Sequence, residues 1–269
     1  MRNLAPAADD WADEDHALVF NPSGTGDFVL ACEHASNFVP PEFDHLGLPE
    51  SAFESHIAWD PGALQVAQII SAVLDAPLIA PAVSRLVYDC NRPPTVKDAV
   101  PEKSETYDIP GNKGLDSSVR QARSARFYTP FRETLAATIE RRLQAGGEPV
   151  VMTIHSFVPV YRGEKREMDL GIIHDADSRL ADAYLREARR DNEYRVIRNK
   201  PYSPEDGVTH TLAVHALSRG LLNVMIEIRN DLIATEADQR VMARRLASYA
   251  TRAVAAITGN GAAPPGPSI

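Results

Sequence analysis

Three short, mostly apolar runs, Phe28-Val29-Leu30-Ala31, Val150-Val151-Met152-Thr153 and Leu222-Asn223-Val224-Met225, each stop at a side chain able to bind a metal or move a proton. The first leads into Cys32-Glu33-His34-Ala35-Ser36-Asn37, the second into Ile154-His155-Ser156, and the third into Ile226-Glu227-Ile228-Arg229. Apolar and β-branched stretches of this length, bounded by turn residues, are expected to be strands. In open α/β sheets ligands gather at the carboxyl ends of the strands, so His34, His155 and Glu227 are expected to converge on one pocket.

The remaining pattern supports such a sheet. Strands are expected at 27–32, 77–80, 86–89, 149–154, 169–173, 194–198 and 222–228. Helices fit between most of them. Pro61–Leu74 carries Leu64, Ala67, Ile70 and Val73 at helical spacing behind Asp60 as N-cap. Ser117–Ala145 is amphipathic with a bend expected at Pro130, and Ser178–Arg190 and Thr235–Ile257 complete the set, the last capped at Thr235. This alternation predicts an α/β fold of three αβα layers around a central mixed, largely parallel sheet. One domain is expected over 26–258, after a polar N-terminal extension (1–25) and before a disordered Gly/Pro tail (259–269). Pro93 to Asp116 lacks periodicity and is too long for an ordinary connection, so it is expected to wall or cover a site.

Composition removes several classes. With 269 residues, 44% of them hydrophobic, the chain can fill a core without disulfide staples. Cys32 and Cys90 both end apolar runs and belong to no CxxC pair, which suits buried thiols in a reducing, cytoplasmic setting. A net charge of -9 without a basic block argues against nucleic acid, and no stretch approaches the roughly 20 apolar residues needed to span a bilayer. GxSxG, Walker, GxGxxG and HExxH patterns are all absent.

Metal binding is the first candidate. Neutral imidazoles at His34 and His155 with one carboxylate would make a zinc site that keeps a position open for water. Asp60, in His56-Ile57-Ala58-Trp59-Asp60, is the first choice for the third ligand, with Glu33 and His56 as competitors. Taken singly, each of these residues also has a structural explanation, as a core histidine or a helix cap. Glu227, set in an apolar run, needs a partner if buried: either an ion pair with Arg229 on the same strand face, or a water for which it is the general base. Arg85, Asn91 and Arg92 lie in Ser84–Arg92, where a planar guanidinium can grip a substrate carboxylate, although Arg85 and Asp89 also form a plausible ion pair. Ser36, Tyr202 and Arg229 are the other candidate substrate contacts.

Six blocks then stand in order: Cys32–Asn37 followed by Pro40; His56–Asp60 with Gly62-Ala63; Ser84-Arg85-Leu86 through Asp89-Cys90-Asn91-Arg92-Pro93; His155-Ser156-Phe157 with Pro159; Asn199 with Pro201-Tyr202-Ser203; and Ile226–Arg229. Together, over about residues 27 to 245, they closely resemble the N-formylglutamate amidohydrolase family. The resemblance implies an amidohydrolase using one Zn²⁺ per chain on a small N-acyl amino acid. It also implies a fold related to the zinc carboxypeptidases (phosphorylase/hydrolase-like) and to the aspartoacylase/succinylglutamate desuccinylase group. His34 and His155 would be ligands, Glu227 the base, and Asn91-Arg92 the grip on the substrate carboxylate, with Arg85 or Arg229 as alternatives. The wider group places an acidic ligand three residues after its first histidine. Asn37 occupies that position here, which directs attention to Asp60. A peptidase or cell-wall peptide amidase, and a metal-free amino-acid-binding module, are the other readings.

Overall fold

In the computed structural model, which describes residues 17–259, the apolar runs pair into one seven-stranded sheet. Its strands are β1 (Ala17–Phe20), β2 (Phe28–Ala31), β3 (Leu78–Pro81), β6 (Val150–Phe157), β9 (Leu170–Ile173), β10 (Val196–Arg198) and β11 (Asn223–Arg229). Two small ribbons stand apart, β4 (Lys103–Ser104) with β5 (Tyr107–Asp108), and β7 (Val160–Tyr161) with β8 (Glu164–Lys165). The sheet order is β1-β3-β2-β6-β11-β9-β10, antiparallel at β1/β3 and β11/β9 and parallel elsewhere. Helices α2 (Ala63–Leu74), α5 (Arg179–Asp191) and α7 (Glu236–Thr258) cover one face. The other face is covered by α4 (Thr129–Gln144), α6 (His210–His215) and the segment around the single turn α1 (Ser51–Glu54), while α3 (Ser117–Arg123) leads into α4. The result is the mixed, largely parallel α/β architecture expected from the alternation of runs.

Strand alternation decides which face receives the chemistry. Met152, Ile154, Val224, Ile226 and Ile228 point into the core under α2, α5 and α7. Val151 and Met225 point into the opposite core under α4 and α6. By the same period, His155 and Glu227 leave on the α4/α6 side. β2 stops at Ala31, opposite Thr153, so the last residues of β6 run on without that neighbour. The β6 amides that face β2 therefore need another acceptor, and Asp60 supplies one, its carboxylate accepting from Ser156 N at 3.2 Å.

Several boundaries differ from expectation. Leu86–Asp89 is not a strand but a buried turn, closed by Val87 N donating to Ser84 O at 2.9 Å. Its apolar alternation reflects enclosure by the 93–116 segment, where the Asn112 side chain donates to the Leu86 and Pro101 carbonyls at 2.8 and 2.7 Å. Asp60 is not the cap of α2; Gly62, at φ 80°, occupies the cap position and frees the carboxylate to turn inward. The break in the long helix falls at a π turn over Ser124–Tyr128, just before Pro130. Ala17–Phe20, within the expected polar extension, pairs with β3 as an edge strand. Residues 1–16 of that extension, and the tail beyond Gly259, lie outside the described residues.

One glycine is a packing requirement. Gly171 on β9 sits opposite Glu227, and a Cβ there would lie 1.9 Å from the Lys200 carbonyl oxygen and 3.1 Å from Glu227 Cβ. Gly171→Ala is expected to cost about 3 kcal/mol, the upper end for overpacking, read as a lowered urea midpoint at unchanged m-value.

Candidate active site

His34 sits in the turn that follows β2, and its backbone carbonyl accepts from Asp60 N at 2.9 Å, which ties the two segments together. His155 lies within β6, two residues before its end, and Glu227 is its register partner on β11. All four side chains are buried: His34 is 6% exposed, Asp60 3%, His155 2% and Glu227 4%.

The imidazoles are oriented by carboxylates. His34 Nε2 lies 2.8 Å from Asp89 Oδ1, and His155 Nε2 lies 3.0 Å from Glu33 Oε2, an ion-pair distance without hydrogen-bond alignment. Each Nδ1 is thereby turned toward the same oxygen, Asp60 Oδ2, at 3.4 Å from His34 and 2.9 Å from His155. His34 Nδ1 is buried and has no hydrogen-bond partner. His34, Asp60 and His155 can each offer one donor atom with all three within 4.8 Å of one another. Two imidazoles and one carboxylate, with an outer carboxylate hydrogen-bonded to His34 and another at ion-pair distance from His155, fit a divalent transition metal.

Electrostatics match this clustering. Burial opposes ionisation of Asp60 and Asp89, but the nearby imidazoles, joined at Asp89 by Arg85, more than reverse it and hold both carboxyls well below the carboxylate range. His155 is moved the other way: burial disfavours its charge, yet Glu33 and Asp60 hold its pKa well above the ordinary value. Glu227 has no such partner. Burial pushes its carboxyl up to about 7, with His155 pulling against the shift and Asp60 adding to it, and its Oε2 has no hydrogen bond. Burial likewise pushes the Cys32 thiol far up, which makes it a poor nucleophile.

A cleft of about 410 Å³ opens over these groups, lined by His34, Asp60, His155, Glu227, Arg85 and Tyr202 among others. The 93–116 segment forms one wall through Asp98, Pro101 and the tip of the β4/β5 ribbon, where His56 Nε2 meets Glu105 Oε1 at 2.9 Å. Arg85 is held only loosely, 3.5 Å from Asp60 Oδ1 and 3.4 Å from Asp89 Oδ2.

Not every candidate faces this cleft. Ser36 is used locally, its hydroxyl accepting from Phe38 N at 3.0 Å. Arg229 points away to Asp169 at 2.8 Å and Asp231 at 2.7 Å, so it is not the counter-ion of Glu227. Asn91 and Arg92 line the cleft but are largely committed to backbone. Asn91 Nδ2 donates to Val208 O at 2.5 Å and its Oδ1 accepts from Thr211 N at 3.1 Å, while Arg92 donates to Asp206 O at 2.6 Å. Glu33 and His56, the competing ligands, instead support His155 and Glu105. Sequence reasoning missed Asp89 as the partner of His34; an acid inside a buried turn was the available signal.

The carboxyl ends of the central strands of this α/β fold thus gather two imidazoles and two carboxylates under one cleft, an arrangement of the hydrolase class. A family model for N-formylglutamate amidohydrolase matches residues 26–234, and the chain belongs to that family. A solved structure described as gene product Atu2144 from Agrobacterium tumefaciens is 51% identical, with a TM-score of 0.89 over 91% of this chain and 97% of that one. An N-formylglutamate amidohydrolase from Ralstonia eutropha JMP134 shares the fold at 19% identity, with a TM-score of 0.57 over 91% of this chain and 99% of that one. A search of curated proteins finds no significant match.

Proposed function

We propose that the protein hydrolyses the amide bond of an N-formylglutamate-like N-acyl amino acid in a zinc-dependent reaction. The observation that carries this reading is the convergence of the two Nδ1 atoms on Asp60 beside an unpartnered, proton-accepting Glu227. His34, Asp60 and His155 would hold the ion. Zinc bound there supplies a Lewis acid and lowers the pKa of water. Glu227 takes the proton from the attacking water and delivers it to the leaving nitrogen, a shuttle suited to a carboxyl titrating near 7. Arg85, half-buried at the cleft edge, is placed to meet a carboxylate of the substrate. The six blocks, the family match and a cleft of small-molecule size favour this over peptide hydrolysis.

Release of formate or acyl acid should be measured as kcat/KM on N-formyl-glutamate, N-acetyl-amino acids and short peptides, before and after chelation and zinc return. Zinc-restored activity greatest on N-formyl-glutamate is expected; activity indifferent to chelation would overturn the zinc reading. The carboxylate behind His34 makes a separate prediction. Asp89→Asn is expected to weaken zinc binding about 10- to 100-fold, read by competition with a chromophoric chelator.

A further inference from the structure

One cation beside this site has no acidic partner. Arg166 is half-buried, and among the described residues no carboxylate lies within ion-pair distance of it. Aromatic rings hold it instead. Its guanidinium carbon lies 4.7 Å from the Tyr161 ring centroid, 5.1 Å from that of Tyr202 and 5.5 Å from that of Phe157. Stacking of this kind engages the faces of the guanidinium and leaves N–H groups on its edge free to donate. Two of them approach the Tyr202 hydroxyl at a long 3.4 Å, which fixes orientation without satisfying the charge.

Its location follows from the fold. Arg166 comes just after the β7/β8 hairpin, whose tip residues Arg162 and Gly163 both have positive φ, 51° and 84°, as a tight two-residue turn requires. Arg166 N closes the hairpin base onto Pro159 O at 2.8 Å. Phe157 follows His155 by two residues on β6, so both side chains leave the same face of the sheet. Tyr161 and Tyr202 line the cleft itself. The cage therefore adjoins the cleft through Tyr161 and Tyr202, the two of its rings that line it, while Arg229 and Arg92 are committed elsewhere.

We propose that Arg166 is a specificity-determining residue that receives the side-chain carboxylate of an N-acyl dicarboxylic amino acid whose acyl group lies at the His34–Asp60–His155 site. This rests on the hydrolytic reading above and adds to it the residue that selects the acidic side chain. Arg85, beside Asp60, is left for the other carboxylate.

The test is calorimetric binding of N-formyl-L-glutamate and N-formyl-L-glutamine to zinc-loaded protein carrying Glu227→Gln, with and without Arg166→Gln. The acidic ligand is expected to bind about 10- to 100-fold tighter than its neutral isostere, as a charge-assisted contact allows, and Arg166→Gln should bring the two within about threefold. Binding of the neutral ligand should not move, and Arg166→Lys should keep part of the preference. No preference in the parent, a preference that survives Arg166→Gln, or equal weakening of both ligands would overturn the assignment. Should Glu227-intact protein release no formate from either compound, the hydrolytic reading fails, while the ratio of affinities still decides the role of Arg166.

Discussion

Glu227→Gln is expected to lower kcat about 10²- to 10⁴-fold, the usual contribution of a positioned general base, while the metal content of the protein stays unchanged. Glutamine fills the same space between β6 and β9 but cannot accept the water proton. The alternative, in which Glu227 is a structural partner of Arg229, loses its basis because that guanidinium is held by Asp169 and Asp231. Activity close to that of the parent would remove Glu227 as the base, and loss of metal together with activity would make it a ligand. Stability gives a second readout on metal-free protein. A carboxyl raised from 4.5 to about 7 on folding binds more protons in the native state, so it lowers stability as pH rises through that window. Glu227→Gln should therefore stabilise the metal-free protein by up to about 3 kcal/mol at pH 8 and by little at pH 4, measured by urea titration.

Asp60→Asn is expected to abolish zinc retention and to destabilise the metal-free protein by about 3–5 kcal/mol near pH 6, because it removes one partner from a buried charge cluster. Asp60 Oδ2 lies 2.9 Å from His155 Nδ1 and 3.4 Å from His34 Nδ1, so the substitution leaves two imidazoles without their shared anion. The pH dependence has two limbs. Asp60 has a depressed pKa, so its contribution is present above the ordinary aspartate pKa of 3.8 and is lost as pH falls through the lower folded value. His155 has a raised pKa, so its share is complete below 6.5 and is lost as pH rises through the higher folded value. The difference in unfolding free energy between parent and Asp60→Asn should accordingly be largest between these limits and shrink on either side. A flat difference would mean that the charges are not coupled as the geometry indicates.

His34, His155 and Glu227 were legible in the sequence because strand periodicity and strand ends are local properties, and period-two alternation carries two of them to one face. Asp60 was legible as a carboxylate, but its inward turn depends on Gly62 taking the helix cap and on β6 outrunning β2. Leu86–Asp89 imitates a strand because an enclosed turn buries consecutive residues as a central strand does. Ser36 and Arg229 were misplaced for a different reason. Short-range partners, Phe38 N and the acids at 169 and 231, take those groups before a distant cleft can use them. Arg166 carried no local signal, since its cage is assembled from β6, a hairpin and the loop at Tyr202.

The proposed zinc site is made of His34, Asp60 and His155 and takes one ion. Anomalous diffraction at the zinc edge, from crystals of zinc-reconstituted and then dialysed protein, tests it most directly. One peak per chain is expected, about 2.0–2.1 Å from the Nδ1 atoms of His34 and His155 and at a similar distance from an Asp60 oxygen. Absence of a peak there, or zinc held only elsewhere on the chain, would rule out His34, Asp60 and His155 as its ligands.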